Sequence, residues 1–115
     1  MAKVARLLHE DGSVVCERCV IATSPLTRMR GLLGRSELPQ GEGIFLRPAS
    51  SVHTAFMRFP IDVVFVDRDL VVLKVVPSLP TWRTSGCRGA KGTFELASGE
   101  AERRGVTLGS RLELV

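Results

Sequence analysis

The sequence predicts a mainly β (α+β) fold: a compact antiparallel β sandwich or partial barrel of about seven short strands with two short helices. Three observations carry this. Short runs rich in Val, Ile, Leu and Phe outnumber helical segments, most links between them are short, and no internal repeat is present. A length of 115 residues gives one domain, residues 1–115. Such a chain buries about two-thirds of its unfolded surface, enough for a core without staples. Hydrophobic residues at 44% and charged residues at 24% are ordinary globular values and exclude disorder. Aromatics are 5%, with five Phe, one Trp and no Tyr, which argues against a large stacking platform for bases or sugars.

Lys3 to Leu8 reads as a strand, Asp11-Gly12 as a tight turn, and Ser13 to Ala22 as the returning strand. Ser24-Pro25 announces a helix, with Ser24 capping and Pro25 at the first helical position. It would run to about Leu33, placing Leu26, Met29 or Arg30, and Leu33 on one face, with Gly34 as its stop. A loop over residues 38–43 leads to a strand at Ile44–Leu46. Ser50 to Phe59 is extended but ambiguous. Ile61–Val66 and Leu70–Val76 read as two buried central strands joined by Asp67-Arg68-Asp69. Pro77 to Gly92 reads as one long loop, of the kind that often carries function. Thr93–Ala97 is a strand. Ser98 then caps a second helix whose acidic residues face its positive end, Gly105 closes it, and Arg111–Val115 forms the last strand.

No stretch of signal-peptide length opens the chain, and the apolar run Ile61–Val76 is interrupted by Asp62 and Asp67-Arg68-Asp69. The expectation is a soluble cytoplasmic protein with no membrane partner. Three cysteines without a secretory signal argue for reduced thiols.

Cys16-Glu17-Arg18-Cys19 has metal or redox spacing, yet no second pair follows, and strand residues three apart point to opposite faces. Only a bulge or turn would bring the two sulfurs together, so the expectation is two free thiols, with no metal and no cofactor. His53 is a lone imidazole, better read as a structural hydrogen-bonder than as a base. Asp62 breaks an apolar strand, so its carboxylate must be paired, hydrogen-bonded or facing a cleft. Two readings stand level. Asp62 satisfies loop amides, or it shares a polar pocket floor with Thr54 and Arg58, although Arg58 lies about 13 Å away along a strand. The net charge is a mild +4, and seven basic residues, Arg28, Arg30, Arg35, Arg58, Arg83, Arg88 and Lys91, are candidates for one basic face that would attract nucleic acid or an anionic ligand. No nucleic-acid motif accompanies them, so a solvated mixed surface is favoured over nucleic-acid binding.

The pattern Arg28-Met29-Arg30-Gly31-Leu32-Leu33-Gly34-Arg35, the block from His53 to Asp67, and Phe94-Glu95-Leu96-Ala97-Ser98-Gly99 followed by Gly105 to Ser110 resemble a bacterial and archaeal family. That family is catalogued as domain of unknown function 192, and the likeness spans roughly Val15 to Leu114. The resemblance implies a compact, mainly β domain and no established activity. Leu70 stands where the family often has Gly, so Asp69 is expected to take the left-handed turn geometry. Ser98 replaces a frequent Pro, which should improve the second helix's cap.

These readings converge on a non-enzymatic domain that binds an unknown small polar or anionic ligand. Its site would comprise His53, Thr54, Met57, Arg58, Asp62 and Trp82, with Phe56 as a further apolar wall. The alternatives are a hydrolase-like enzyme using His53 and Asp62 as an acid–base pair, or weak binding of RNA or an acidic partner through the arginines.

Overall fold

The computed structural model describes residues 3–30, 32 and 34–115. In chain order it holds β1 (Lys3–His9), β2 (Val14–Ala22), α1 (Pro25–Arg30), β3 (Glu42–Leu46), β4 (Ser51–His53) and β5 (Ile61–Val66). There follow β6 (Val72–Leu79), β7 (Thr84–Gly86), β8 (Gly92–Ala97), α2 (Glu100–Arg103) and β9 (Leu112–Leu114). Seven strands make one sheet in the order β6-β5-β8-β3-β2-β1-β9, while β4 and β7 form a separate antiparallel pair.

The sheet curls into a partial barrel. Its two edges come together where Val71 bridges Arg111, reinforced by the bonds from Leu112 N–H to Leu70 C=O and from Val72 N–H to Ser110 C=O. This occupies the edge groups that an open sheet would leave as a template for aggregation. One junction departs from the antiparallel expectation: β2 and β3 run parallel, as a crossover through α1 permits.

Side chains alternate between two apolar clusters. Phe45, Val64, Val66, Phe94 and Leu96 point inward with Leu7, Val15, Cys16 and Cys19. Ile44, Leu46, Ile61, Val63 and Phe65 point outward, under Leu32, Leu38, Val52, Met57 and Leu79. Strand β5 is therefore buried on both faces, as its continuous apolar run predicts. Strand β6 is an edge, not a central strand, and is only half-buried along its middle. Inside the barrel Phe45 stacks on Phe94 with ring centroids 4.3 Å apart. Gly92 makes room for this, since a Cβ there would lie 2.5 Å from Phe45 Cε1.

Several expectations change. Residues 77–92 are not one loop: β6 continues through Pro77 to Leu79, and β7 pairs with β4 inside the stretch that read as ambiguous. A β-bulge explains the tolerated proline, because four residues of β6 (Val76 to Leu79) stand against three of β5 (Ile61 to Val63). At the β5–β6 turn it is Leu70, not Asp69, that is left-handed, at φ 63°. The Asp67 carboxylate accepts the N–H groups of Asp69 and Val71, which fixes the turn so that the strained position falls on Leu70. Leu70 in turn packs against the inner cluster.

Ser24 caps α1 as expected, its Oγ accepting the Thr27 N–H at 3.2 Å. The expected apolar face of this helix, Leu26, Met29 or Arg30 and Leu33, lies outside the described side chains. Ser98 does not cap α2: Gly99 holds that position at φ 89° with no side-chain cap of its own, and Ser98 Oγ instead meets Ser78 Oγ. The helix is capped from another element, by Asp62 of β5.

Candidate functional site

The segment joining β4 to β5 meets the β6–β7 loop at Thr54, which is fully buried. Its hydroxyl donates to the Pro80 carbonyl at 2.6 Å and accepts the Arg83 N–H at 2.9 Å. Its backbone N–H donates to Arg83 C=O, and its C=O accepts from both Met57 and Trp82 N–H. One residue thus fastens two loops together. A threonine is suited to this because a single hydroxyl is both donor and acceptor.

The fastening sets the positions of Phe56 and Trp82, whose backbones are left-handed at φ 65° and 61°. Such conformations cost on the order of 1–3 kcal/mol each for non-glycine residues and persist only where the surroundings over-determine them. Here they turn both rings outward. Phe56 is 72% and Trp82 60% exposed, and their centroids lie 4.7 Å apart at a 60° tilt. Exposed His53, Arg58 and Arg83 lie within three residues of the pair in sequence. Met57 points the other way, into the outer apolar cluster with Ile61 and Leu79.

Thr54→Val, which keeps the shape and removes the hydroxyl, is expected to cost about 2 kcal/mol, because it strands the Pro80 carbonyl and the Arg83 amide. The single tryptophan checks the local effect: urea unfolding followed by Trp82 emission should show a lower midpoint and a native spectrum altered by loosening of the aromatic contact.

Asp62 does not join this surface. It is fully buried, and its two oxygens accept the Ser78 and Ala101 N–H groups, each at 2.8 Å. It satisfies loop and helix amides, the first of its two sequence readings. His53 is exposed on β4 and is not among the partners of Asp62, so the acid–base pair that a hydrolase would need is not assembled. Of the expected site residues, the structure brings His53, Arg58 and Trp82 to an exposed surface, places Thr54 beneath it, and directs Met57 and Asp62 into the interior.

Two features went unread in the sequence. A pocket of about 360 Å³ opens at the other end of β4, lined by Pro25, Arg28, Leu46, Pro48, Ala49, Ser50 and Ser51. Arg28 reaches across it to donate to the Pro48 carbonyl at 2.7 Å. The second is Glu95, in the middle of β8 between Ile44 of β3 and Val63 of β5, on the outward face and only 4% exposed. Burial pushes its carboxyl up to about 7. The signal for Glu95 was a lone acid in the apolar run Thr93–Ala97.

Two of the described arginines are neutralised by acids at the surface. Arg35 pairs with Glu42, while Arg104 bonds both Glu17 and Glu100. The Arg104 guanidinium holds the Glu17 carboxyl below its ordinary range. No helix among the described residues is long and apolar enough to cross a membrane.

The fold and this surface define a small, mostly β, partial-barrel protein presenting an exposed aromatic pair. Within that class the chain belongs to the family DUF192, described as "Uncharacterized ACR, COG1430", whose sequence profile matches residues 7–114. Among curated proteins none matches the chain. In fold it is similar to a "putative transcription regulator" from Sinorhizobium meliloti 1021, with a TM-score of 0.85 and 21% identity over 99% of this chain and 94% of that one. A protein of unknown function from Novosphingobium aromaticivorans DSM 12444 is also similar, with a TM-score of 0.79 and 20% identity over 97% of this chain and 84% of that one. At these identities the likeness is one of fold.

Proposed function

We propose that this protein is a non-enzymatic domain that binds a small anionic ligand with a planar face. The ligand seats against Phe56 and Trp82, and Arg58, Arg83 and His53 supply its polar partners. One observation carries the reading: two large aromatic side chains held in solvent on strained backbone by a buried threonine. Leaving apolar rings exposed and bending the chain to do so both cost free energy, and strain of this kind gathers at ligand clamps. Arginine beside an aromatic face suits a carboxylate or phosphate attached to a ring. Thr54 serves this site from beneath, as a positioning residue.

Trp82 is the only tryptophan, so its emission reports on the site directly. Titration with benzoate, adenosine monophosphate and citrate should give a saturable change with the planar anions and none with citrate. Arg58→Ala, an exposed change that leaves the core untouched, should weaken binding by about tenfold, the loss of one charge-assisted contact. No saturable change with either planar anion, together with no chemical-shift change at residues 53–58 or 80–84, would count against the reading.

A further inference from the structure

The Cys16-x-x-Cys19 spacing sits on a strand, where three-residue separation normally sends side chains to opposite faces about 10 Å apart. The pairing of β2 with β1 changes this. Cys19 lies opposite Ala5 and Cys16 opposite Leu7, so four residues of β2 stand against only three of β1. A bulge of this kind shortens the span of the bulged residues toward the ideal rise of two strand residues, about 6.6 Å. That is inside the window of roughly 4.4–6.8 Å that a disulfide requires.

Burial along the strand records the same event. Val15 and Cys16 are both buried, Glu17 and Arg18 both exposed, and Cys19 buried again, which breaks the alternation of a regular strand. Both thiols therefore enter the inner apolar cluster, Cys16 at 1% and Cys19 at 0% exposure. Gly43 of β3 gives the sulfur its space, since a Cβ there would lie 3.2 Å from Cys16 Sγ.

We infer that Cys16 and Cys19 form a dithiol that closes to an intrachain disulfide when a hydroperoxide reaches it. The Cys16 sulfur attacks as thiolate. The neighbouring Cys19 thiol, with the Arg104 charge, holds Cys16 below the ordinary thiol range against the opposing pull of burial and Glu17, while the same neighbour and burial push Cys19 up. Attack on the peroxide oxygen breaks the O–O bond, leaving Cys16 as a sulfenic acid and releasing water or an alcohol. Cys19 then gives up its proton as its sulfur attacks Cys16, and hydroxide leaves as water. The sum is two thiols and one peroxide converted to one disulfide and two molecules of water when the oxidant is hydrogen peroxide.

Oxidation would not orphan the backbone nearby. The Gly41 carbonyl, which the Cys16 thiol meets at 3.4 Å, also accepts the Arg18 N–H at 2.9 Å and keeps that bond. Burial makes the reaction slow. Peroxide enters on local opening of the β1–β2 ladder, which is irregular again between Leu7 and Leu8.

The test is made on the folded Cys87→Ser protein, which removes the one half-exposed thiol. Treatment with hydrogen peroxide, followed by alkylation in denaturant and mass spectrometry, should show a loss of about 2 Da and a linked Cys16–Cys19 peptide. Reduction with dithiothreitol should restore both thiols. Two alkylatable thiols after prolonged exposure would overturn the inference, as would sulfinic acid at Cys16 with Cys19 still free, or a disulfide between two chains.

Discussion

Asp62→Ala is expected to remove about 4 kcal/mol of folding stability, from a total that for a domain of this size is typically 5–15 kcal/mol. The carboxylate sits at one end of the barrel and makes two bonds of a strong type, carboxylate to backbone N–H at 2.8 Å, to Ser78 and Ala101. Hydrogen bonds to a charged group contribute about 1.5–3 kcal/mol each, and truncation leaves both amides without an acceptor where water reaches poorly. Each amide is also a point of local need. Ser78 lies in the β6 bulge with a left-handed φ of 47°, and Ala101 lies in the first turn of a one-turn helix that has no side-chain cap of its own. Asp62→Asn keeps the shape and one acceptor but turns an NH₂ toward an N–H, so about half the loss is expected. Urea unfolding at fixed pH gives the difference, and hydrogen exchange should show Ser78 and Ala101 amides losing protection ahead of the β5–β8 ladder. A loss below about 1 kcal/mol would mean that water or a neighbouring side chain replaces the carboxylate.

That residue also shows where sequence reading stops. An acid in the run Ile61–Val66 had to be satisfied, and this was legible from position 62 alone. What satisfies it was not, because Ser78 and Ala101 are 16 and 39 residues away and only the closed barrel brings them together. The strands with continuous apolar runs were readable because burial on both faces imposes composition directly: β3, β5 and β8 each carry it. The pair β4–β7 was not, since three-residue strands of Ser, Val, His, Thr and Gly have little propensity and exist through their mutual register.

The site divides in the same way. His53, Arg58 and Trp82 were legible as unusual residues in a distinctive stretch. That Phe56 and Trp82 would meet depended on two left-handed residues and on Thr54 linking loops 26 to 29 positions apart, none of which leaves a local mark. The cysteine bulge, in contrast, did leave one. Two adjacent charged residues, Glu17-Arg18, stand between buried neighbours, and a strand of period two cannot place both in solvent without an extra residue.

Glu95 supplies the second large effect, and its sign is opposite to that of most carboxylates. In the folded protein burial holds its carboxyl up to about 7, against an ordinary value of 4.5 that applies when the chain is unfolded. Between those values the folded state binds more protons than the unfolded one, so stability falls as pH rises. Below pH 4.5 both states are protonated and the group carries no ionisation penalty. Above pH 7 the full penalty is present, about 3 kcal/mol for a shift of this size. Glu95→Gln keeps the volume and polarity without the ionisation, so at pH 8 the variant should be more stable than the natural protein by about that amount. The advantage should shrink steadily toward pH 4.5 and vanish below it. The comparison isolates Glu95, because Glu17 and Asp11, both held below the ordinary carboxylate range, act in the same way in both proteins. Thermal or urea unfolding of the two proteins at half-unit steps from pH 4 to 8 measures the difference. A constant offset across that range would show that burial does not hold Glu95 protonated.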